Sequence, residues 1–183
     1  KNYLTLPMAK DYKRIGEGDT GLNTGGMGAI SPVPFASAEF IKKIEDRVIK
    51  PTMDGFQKSN LPFQGFVFIG LIKVGDDPFV IEYNVRMGDP ETEVVFPRIQ
   101  NDWVELFQAV GTQTLDQHQL QIDPRTATTI MAVSGGYPEA YEKGKTITGI
   151  ESAEDSVVFH AGTQMESGVV KTSGGRVLAV TSF

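Results

Sequence analysis

The chain has 183 residues, 40% of them apolar and 22% charged, which suits one large domain or one and a half small ones with a real core. A net charge of −6 with no Lys/Arg cluster argues against a nucleic-acid-binding surface, although a few basic residues can still converge on a phosphate. Cysteine is absent, which excludes disulfide scaffolds, thiolate metal sites and cysteine nucleophiles and fits a reducing, cytoplasmic setting. No apolar run is long enough to span a membrane, so no membrane partner is expected. The chain opens on Lys1 with no charged-then-apolar leader, and its first residues read as the middle of a strand. An internal fragment is therefore expected.

Residues 2–8 are apolar at Tyr3, Leu4, Leu6 and Met8 and predict a short strand. Charge then concentrates in Lys10, Asp11, Lys13 and Arg14. Residues 16–31 are rich in glycine with Asn, Asp and Thr, and no regular element is expected there. Such backbone can turn N–H groups toward an anion and let a ligand approach closely. Its spacing is neither G-x-G-x-x-G nor the P-loop pattern, and a flexible surface loop is the other reading. The basic pair just before it weighs toward the anion.

Residues 37–59 predict a helix capped by Ser37, with Glu39 in the first turn and an apolar face of Phe40, Ile41, Ile44, Val48, Ile49, Met53 and Phe56. Pro51 should kink or restart it. Residues 65–74 and 78–86 are rich in β-formers and flank Gly75-Asp76-Asp77, which predicts an antiparallel hairpin.

The second arm of that hairpin continues into V-I-E-Y-N-V-R-M-G-D-P-E-T-E, residues 80–93. If 80–86 is extended, Ile81, Tyr83 and Val85 share one face and can pack on a core. Glu82, Asn84 and Arg86 share the other. A carboxylate and an amide oxygen two positions apart can serve a hard cation such as Mg²⁺, and a guanidinium beyond them can reach a phosphate. The Gly-Asp-Pro turn should halt the strand and present Asp89 and Glu91. An edge strand with a merely polar outer face fits the same alternation.

Residues 92–100 and 103–110 predict helices, the second capped by Asp102 or Asn101 with Val104, Leu106, Phe107 and Val110 on its apolar face. Trp103 reads as packing. Residues 111–123 are polar and Gln-rich, and a boundary is set there, dividing 1–117 from 118–183. Strands are predicted at 127–134, 157–161, 169–172 and 176–182, separated by Gly-Gly turns, as a small antiparallel module. Ser134 lacks the context of a nucleophile elbow. His118 and His160 lack metal-ligand spacing; the first is expected to be solvated and the second satisfied by structure.

Together these residues resemble a known family. I-E-Y-N-V-R, 81–86, is similar to the metal-binding strand of ATP-grasp ligases. R-M-G-D-P-E-T-E, 86–93, resembles the signature of the glycinamide ribonucleotide synthetase family within them. So do Asp11-Tyr12-Lys13-Arg14, Gly18-Asp19-Thr20-Gly21 and Asn23-Thr24-Gly25-Gly26-Met27-Gly28. Gly135-Gly136-Tyr137-Pro138, Phe159-His160-Ala161-Gly162-Thr163 and Gly174-Gly175-Arg176-Val177 follow in the family's order. The resemblance covers nearly the whole chain.

It implies an α+β fold: the carboxy-terminal half of an ATP-grasp domain, an antiparallel sheet with helices, over 1–117, then a small, mostly β and incomplete domain over 118–183. It implies ATP-dependent joining of glycine to 5-phosphoribosylamine through a glycyl phosphate. Glu82 and Asn84 would hold Mg²⁺ or Mn²⁺ against the ATP phosphates, and Ile72 would pack on adenine. Arg86 and Asp89 would be catalytic, Arg86 steadying the transferred phosphoryl group. Asp11, Lys13, Asn23, Thr24, Gly25, Gly26, Gly88 and Pro90, with Arg86 and Asp89, would line the substrate pocket.

There are two departures. Many ATP-grasp enzymes carry another metal carboxylate twelve positions before the Glu82 equivalent, where this chain has Gly70. The family's amino-terminal substrate domain and first ATP-grasp half, with its nucleotide lid, have no counterpart here, so the chain alone is expected to be inactive. A different ATP-grasp ligase, or a non-catalytic cation-binding module, are the competing readings.

Overall fold

The computed structural model describes residues 2–183, which form two compact units that interleave along the chain. One comprises residues 2–5, 33–88 and 101–120; the other comprises 6–32, 89–100 and 121–183. The fold is of the α+β class, with all strand pairs antiparallel.

In the first unit the predicted long helix is present in three pieces: α1 (Ala38–Ile44), a π-helical turn (Glu45–Ile49) and α2 (Lys50–Lys58). Ser37 caps α1 by accepting the Phe40 N–H. Pro51 has no N–H to give and its ring crowds the carbonyl a turn back, so the widened turn before it lets the helix run on. Phe40, Ile44 and Val48 are buried. The predicted hairpin is also present. In this hairpin β3 (Phe68–Val74) pairs with β4 (Asp77–Asn84) across a tight turn where Gly75 has a φ of +59°. Helix and hairpin are tied by Tyr83 Oη and Thr52 Oγ1 at 2.9 Å, and by Arg47 donating to Asp77 Oδ1 at 2.8 Å. The other helix of this unit, α4 (Trp103–Thr112), is capped by Asp102, which accepts the Val104 and Glu105 N–H groups. Its buried residues are Leu106 and Ala109, whereas Val104 and Phe107, expected on the apolar face, are exposed. Phe107 instead meets Phe66 edge-on with ring centroids 6.2 Å apart.

The second unit is built on a five-stranded sheet in the order β1-β2-β5-β9-β6. Here β1 is Lys10–Gly16, β2 Thr20–Ser31, β5 Ala127–Val133, β6 Ser156–His160 and β9 Arg176–Ser182. The glycine-rich stretch is thus a twelve-residue strand, contrary to expectation. It pairs with β1 on one side and, over residues 28–31, with β5 on the other, and at Gly28 the neighbouring strand comes so near that a Cβ would lie 2.6 Å from the Thr129 carbonyl oxygen. The strand predicted over residues 2–8 does not form. The carboxy-terminal strands share this sheet with β1 and β2 rather than standing as a module of their own, and a further hairpin pairs β7 (Thr163–Glu166) with β8 (Val169–Thr172). A helical segment, α3 (Thr92–Val95) followed by a 3-10 turn (Phe96–Arg98), lies on the sheet. Val94 and Val95 are buried with Ala29, Ala127, Met131, Val177 and Ala179. The Thr181 hydroxyl donates to the Glu93 carbonyl at 2.9 Å and so fastens the segment to β9. Behind it Arg98, buried, donates to Ser31 Oγ at 2.7 Å and twice to the Asp123 carbonyl at 2.9 and 3.2 Å.

Candidate functional site

The hairpin of the first unit has two unlike faces. Cross-strand partners lie on the same side of a sheet. Phe68 pairs with Asn84, Gly70 with Glu82 and Ile72 with Phe79, which sets these six residues on one face. Tyr83 and Lys73 belong to the other, where Tyr83 reaches Thr52 of α2 and the Lys73 ammonium lies 5.8 Å from the centroid of the Phe40 ring. Glu82, Asn84 and Ile72 therefore share the side turned away from the helices. Ile72 is 50% exposed and Phe79 54%, so an apolar platform sits next to the two oxygen donors.

A bulge interrupts the pairing, since Leu71 opposes Val80 while Gly70 opposes Glu82, leaving Ile81 as the extra residue. This changes the expected apolar face. Tyr83 does face the helix, but Ile81 is 65% exposed and Val85 72%, so neither packs on a core within the unit. The strand also ends at Asn84. Arg86 lies beyond it in a bend, exposed, with Nη1 donating to the Met87 carbonyl at 3.0 Å. The alternation that was to align Arg86 with Glu82 and Asn84 thus stops one step short. Gly88 is buried at the end of this unit.

Glu82 and Asn84 are the hairpin residues that could hold a divalent cation of the Mg²⁺ or Mn²⁺ type. Asn84 carries a buried side-chain nitrogen with no hydrogen-bond partner, and Glu82 is an exposed carboxylate two positions away. Gly70, opposite, would put a Cβ 2.9 Å from Glu82 Cγ, so the glycine leaves that carboxylate room. Among the described residues no cluster of three or more acidic, His or Cys side chains could hold a metal. Two protein oxygens with the remaining positions left to phosphate and water is a common Mg²⁺ arrangement.

In the second unit the remaining candidates converge where β1, β2 and the turn at residues 89–91 meet. Lys13 Nζ lies 2.6 Å from Asp11 Oδ2 on β1. Thr24 on β2 donates to the Lys13 carbonyl at 2.8 Å and accepts the Gly26 N–H at 3.0 Å. Asn23, exposed, pairs in register with Arg14. Gly26, at φ +126°, has no room for a side chain, since a Cβ would fall 2.5 Å from Pro90 Cδ. Asp89 is exposed, and its carbonyl and Oδ1 accept from Arg176 Nη1 at 3.2 and 3.1 Å. Asp11, Lys13, Asn23, Thr24, Gly25, Gly26, Asp89 and Pro90 thus all fall in one unit, while Ile72, Glu82, Asn84, Arg86 and Gly88 fall in the other.

The electrostatics of this cluster are unusual. Burial raises the Glu91 carboxyl above the ordinary range, and the carboxylates of Asp11 and Asp89 raise it further against the opposing pull of Lys13. Burial likewise raises Glu93, with Asp89 adding and Arg176 opposing. Glu93 Oε2 is buried without a hydrogen-bond partner. Sequence reasoning assigned no role to Arg176, Tyr137 or Glu93. Both Arg176 and Tyr137 lie in motifs quoted for the resemblance, but nothing in their local spacing says that they reach across the sheet to Gly25. The histidines stay outside. His160, exposed, bonds Thr163 Oγ1 through Nδ1 at 2.9 Å, and His118 is half-buried rather than solvated.

Comparison with known proteins shows the family. Residues 1–92 match the family model described as phosphoribosylglycinamide synthetase, ATP-grasp (A) domain, and residues 127–183 match the C domain of the same synthetase. The chain is 47% identical along its whole length to a bifunctional purine biosynthetic protein of Pichia angusta, covering 23% of it. It is 43% identical, again along its whole length, to the phosphoribosylamine–glycine ligase of Chlorobaculum tepidum, covering 44% of it. The crystal structure of the phosphoribosylamine–glycine ligase of Thermotoga maritima superposes with a TM-score of 0.81 at 38% identity, over 96% of this chain and 43% of that one. The chain thus spans less than half the length of each of these relatives, and it belongs to the phosphoribosylglycinamide synthetase family.

Proposed function

We propose that this chain is part of an enzyme that joins glycine to 5-phosphoribosylamine at the expense of ATP. The observation that carries the reading is the open hairpin face, where Glu82 and Asn84 stand beside the apolar pair Ile72 and Phe79. A nucleotide needs this combination, with oxygen donors for a metal on its phosphates and a flat apolar surface for its base. The relatives from Chlorobaculum tepidum and Agrobacterium fabrum are named phosphoribosylamine–glycine ligases.

In this reading the glycine carboxylate attacks the γ-phosphorus and ADP leaves. The amine of phosphoribosylamine then attacks the carbonyl carbon of the glycyl phosphate, expelling inorganic phosphate and giving glycinamide ribonucleotide. The first step asks for alignment and charge neutralisation more than for covalent help. Glu82 and Asn84 would hold Mg²⁺ or Mn²⁺, which supplies positive charge to the phosphates. Arg86 would steady the transferred phosphoryl group through its guanidinium fork. Asp89 would be the second catalytic group, and Asn23, Thr24, Gly25, Gly26, Gly88 and Pro90 would contact the substrates, with Asp11 and Lys13 contributing to the same recognition. Turnover would require the rest of a polypeptide of the relatives' length, because these groups must be placed within a fraction of an ångström of the substrates. We keep the division near residue 117 as a proposed domain boundary, between the segments matched by the two family models, and a cytoplasmic setting. No helix among the described residues is long and apolar enough to cross a membrane.

The test is ADP release by the complete natural reading frame with glycine and phosphoribosylamine, beside the same protein carrying Glu82→Ala. Strict dependence on both substrates, lost in a folded variant, is the expected result. Release only with another acid or amine would leave an ATP-grasp ligase of different substrates. A folded protein with no ATP turnover would instead point to a cation-binding module without catalysis.

A further inference from the structure

Gly25 is gripped at both ends of its residue. Its N–H donates to Tyr137 Oη at 3.2 Å, and its carbonyl accepts from Arg176 Nη1 at 3.0 Å. The same Nη1 reaches the Asp89 carbonyl and Oδ1, so one guanidinium nitrogen joins β2 to the turn at Asp89. Two N–H bonds serve three acceptors, so one bond is shared between two of them. The glycines of this region stand where these side chains need room. A Cβ at Gly25 would lie 2.9 Å from Arg176 Cζ, and one at Gly175 would lie 2.3 Å from the Tyr137 ring. The two residues are themselves braced, because the Ser134 N–H donates to the Gly175 carbonyl at 2.7 Å and its Oγ to the Gly174 carbonyl at 2.9 Å. That ties the turn carrying Tyr137 to the turn carrying Arg176. Both come from the segment matched by the C-domain model, and both act on residues of the segment matched by the ATP-grasp model.

From this we infer that Arg176 and Tyr137 are positioning residues, which set the Gly25 peptide and the Asp89 carboxylate for the substrates. The inference rests on the proposed function, in which residues 23–26 and Asp89 contact the substrates. Arg176 also supplies positive charge to a neighbourhood that holds the carboxylates of Asp89 and Glu93. Its fork matters as well as its charge, so lysine is an incomplete substitute.

The complete protein is assayed as wild type and as Arg176→Gln, Arg176→Lys and Tyr137→Phe, with the apparent KM for ATP, glycine and phosphoribosylamine measured separately from kcat. Arg176→Gln should lower kcat/KM for glycine or phosphoribosylamine by about 30- to 100-fold, as expected for a misplacement near 1 Å. Its KM for ATP should change less than about threefold, the nucleotide being held by groups that Arg176 does not order. Arg176→Lys should recover part of the loss, and Tyr137→Phe should show a smaller loss of the same pattern. Thermal midpoints of Arg176→Gln, Asp89→Asn and the double variant provide a second reading that needs no turnover; non-additive shifts are expected for groups in contact. Additive shifts overturn the inference, as do unchanged kinetic constants in Arg176→Gln while the wild type is active. An equal rise in the apparent KM for all three substrates makes Arg176 merely structural and also overturns it. A wild type inactive with both substrates refutes the proposed function, and positioning for those substrates falls with it.

Discussion

Replacing Gly26 by alanine tests how β2 meets the turn at residues 89–91. Two costs add. At φ +126° an L-residue is strained by about 1–3 kcal/mol. The new Cβ would also lie 2.5 Å from Pro90 Cδ, against a comfortable carbon–carbon separation of about 3.5–4.0 Å. Gly26 and Pro90 are both buried, so the overlap must be relieved by moving packed backbone, which costs about 1–3 kcal/mol more. A loss of about 3–4 kcal/mol is the central expectation from these two costs. With a urea slope of about 2 kcal/mol per M, the unfolding midpoint should fall by about 1.5–2 M. The assay is urea titration of this chain followed by the circular dichroism of its sheet. Gly111→Ala serves as the control, because Gly111 lies in α4 with nothing within 4 Å of an added Cβ, and it should stabilise by about 0.5–1 kcal/mol. A Gly26→Ala midpoint within about 0.3 M of the parent would refute the close packing of β2 on Pro90.

Other expectations follow from the buried polar groups. Arg98→Met should cost about 2–4 kcal/mol in the same titration, because the Asp123 carbonyl and the Ser31 hydroxyl lose a charged donor inside the second unit; a cost under about 0.5 kcal/mol would contradict the network. Glu91 should oppose folding at neutral pH, since burial raises its folded pKa above the unfolded value. Between the two values the folded state holds more protons, so this penalty is complete above the folded pKa and vanishes below the unfolded one, near 4.5. Glu91→Gln should therefore raise the thermal midpoint at pH 7 and bring little change at pH 4. An equal gain at both pH values would refute the electrostatic origin.

Local chemistry made several elements legible in the sequence. Ser37 and Asp102 announced their helices because a cap needs only a short side chain and the next few N–H groups. The Gly75-Asp76 turn announced the hairpin because a turn is likewise a local structure. The strand β2 was hidden by its glycines: its order comes from β1 and β5, and β5 lies about a hundred residues later. The same non-locality hid Arg176 and Tyr137, whose partners lie 151, 87 and 112 positions away. The shared face of Glu82 and Asn84 was legible because both lie on one strand with regular spacing. Arg86 was misaligned because alternation in sequence does not reveal where a strand ends, and Ile81 because it does not reveal a bulge.

The central claim is that a carboxylate is activated by phosphoryl transfer before the amine attacks. It is tested most directly by supplying the complete protein with ATP, phosphoribosylamine and glycine labelled with ¹⁸O in both carboxylate oxygens. Attack of the amine on a glycyl phosphate leaves one glycine oxygen on the departing group, so each turnover should release inorganic phosphate carrying a single ¹⁸O. Product formed with unlabelled phosphate would contradict the account, because the glycine carboxylate would then never have been joined to phosphorus.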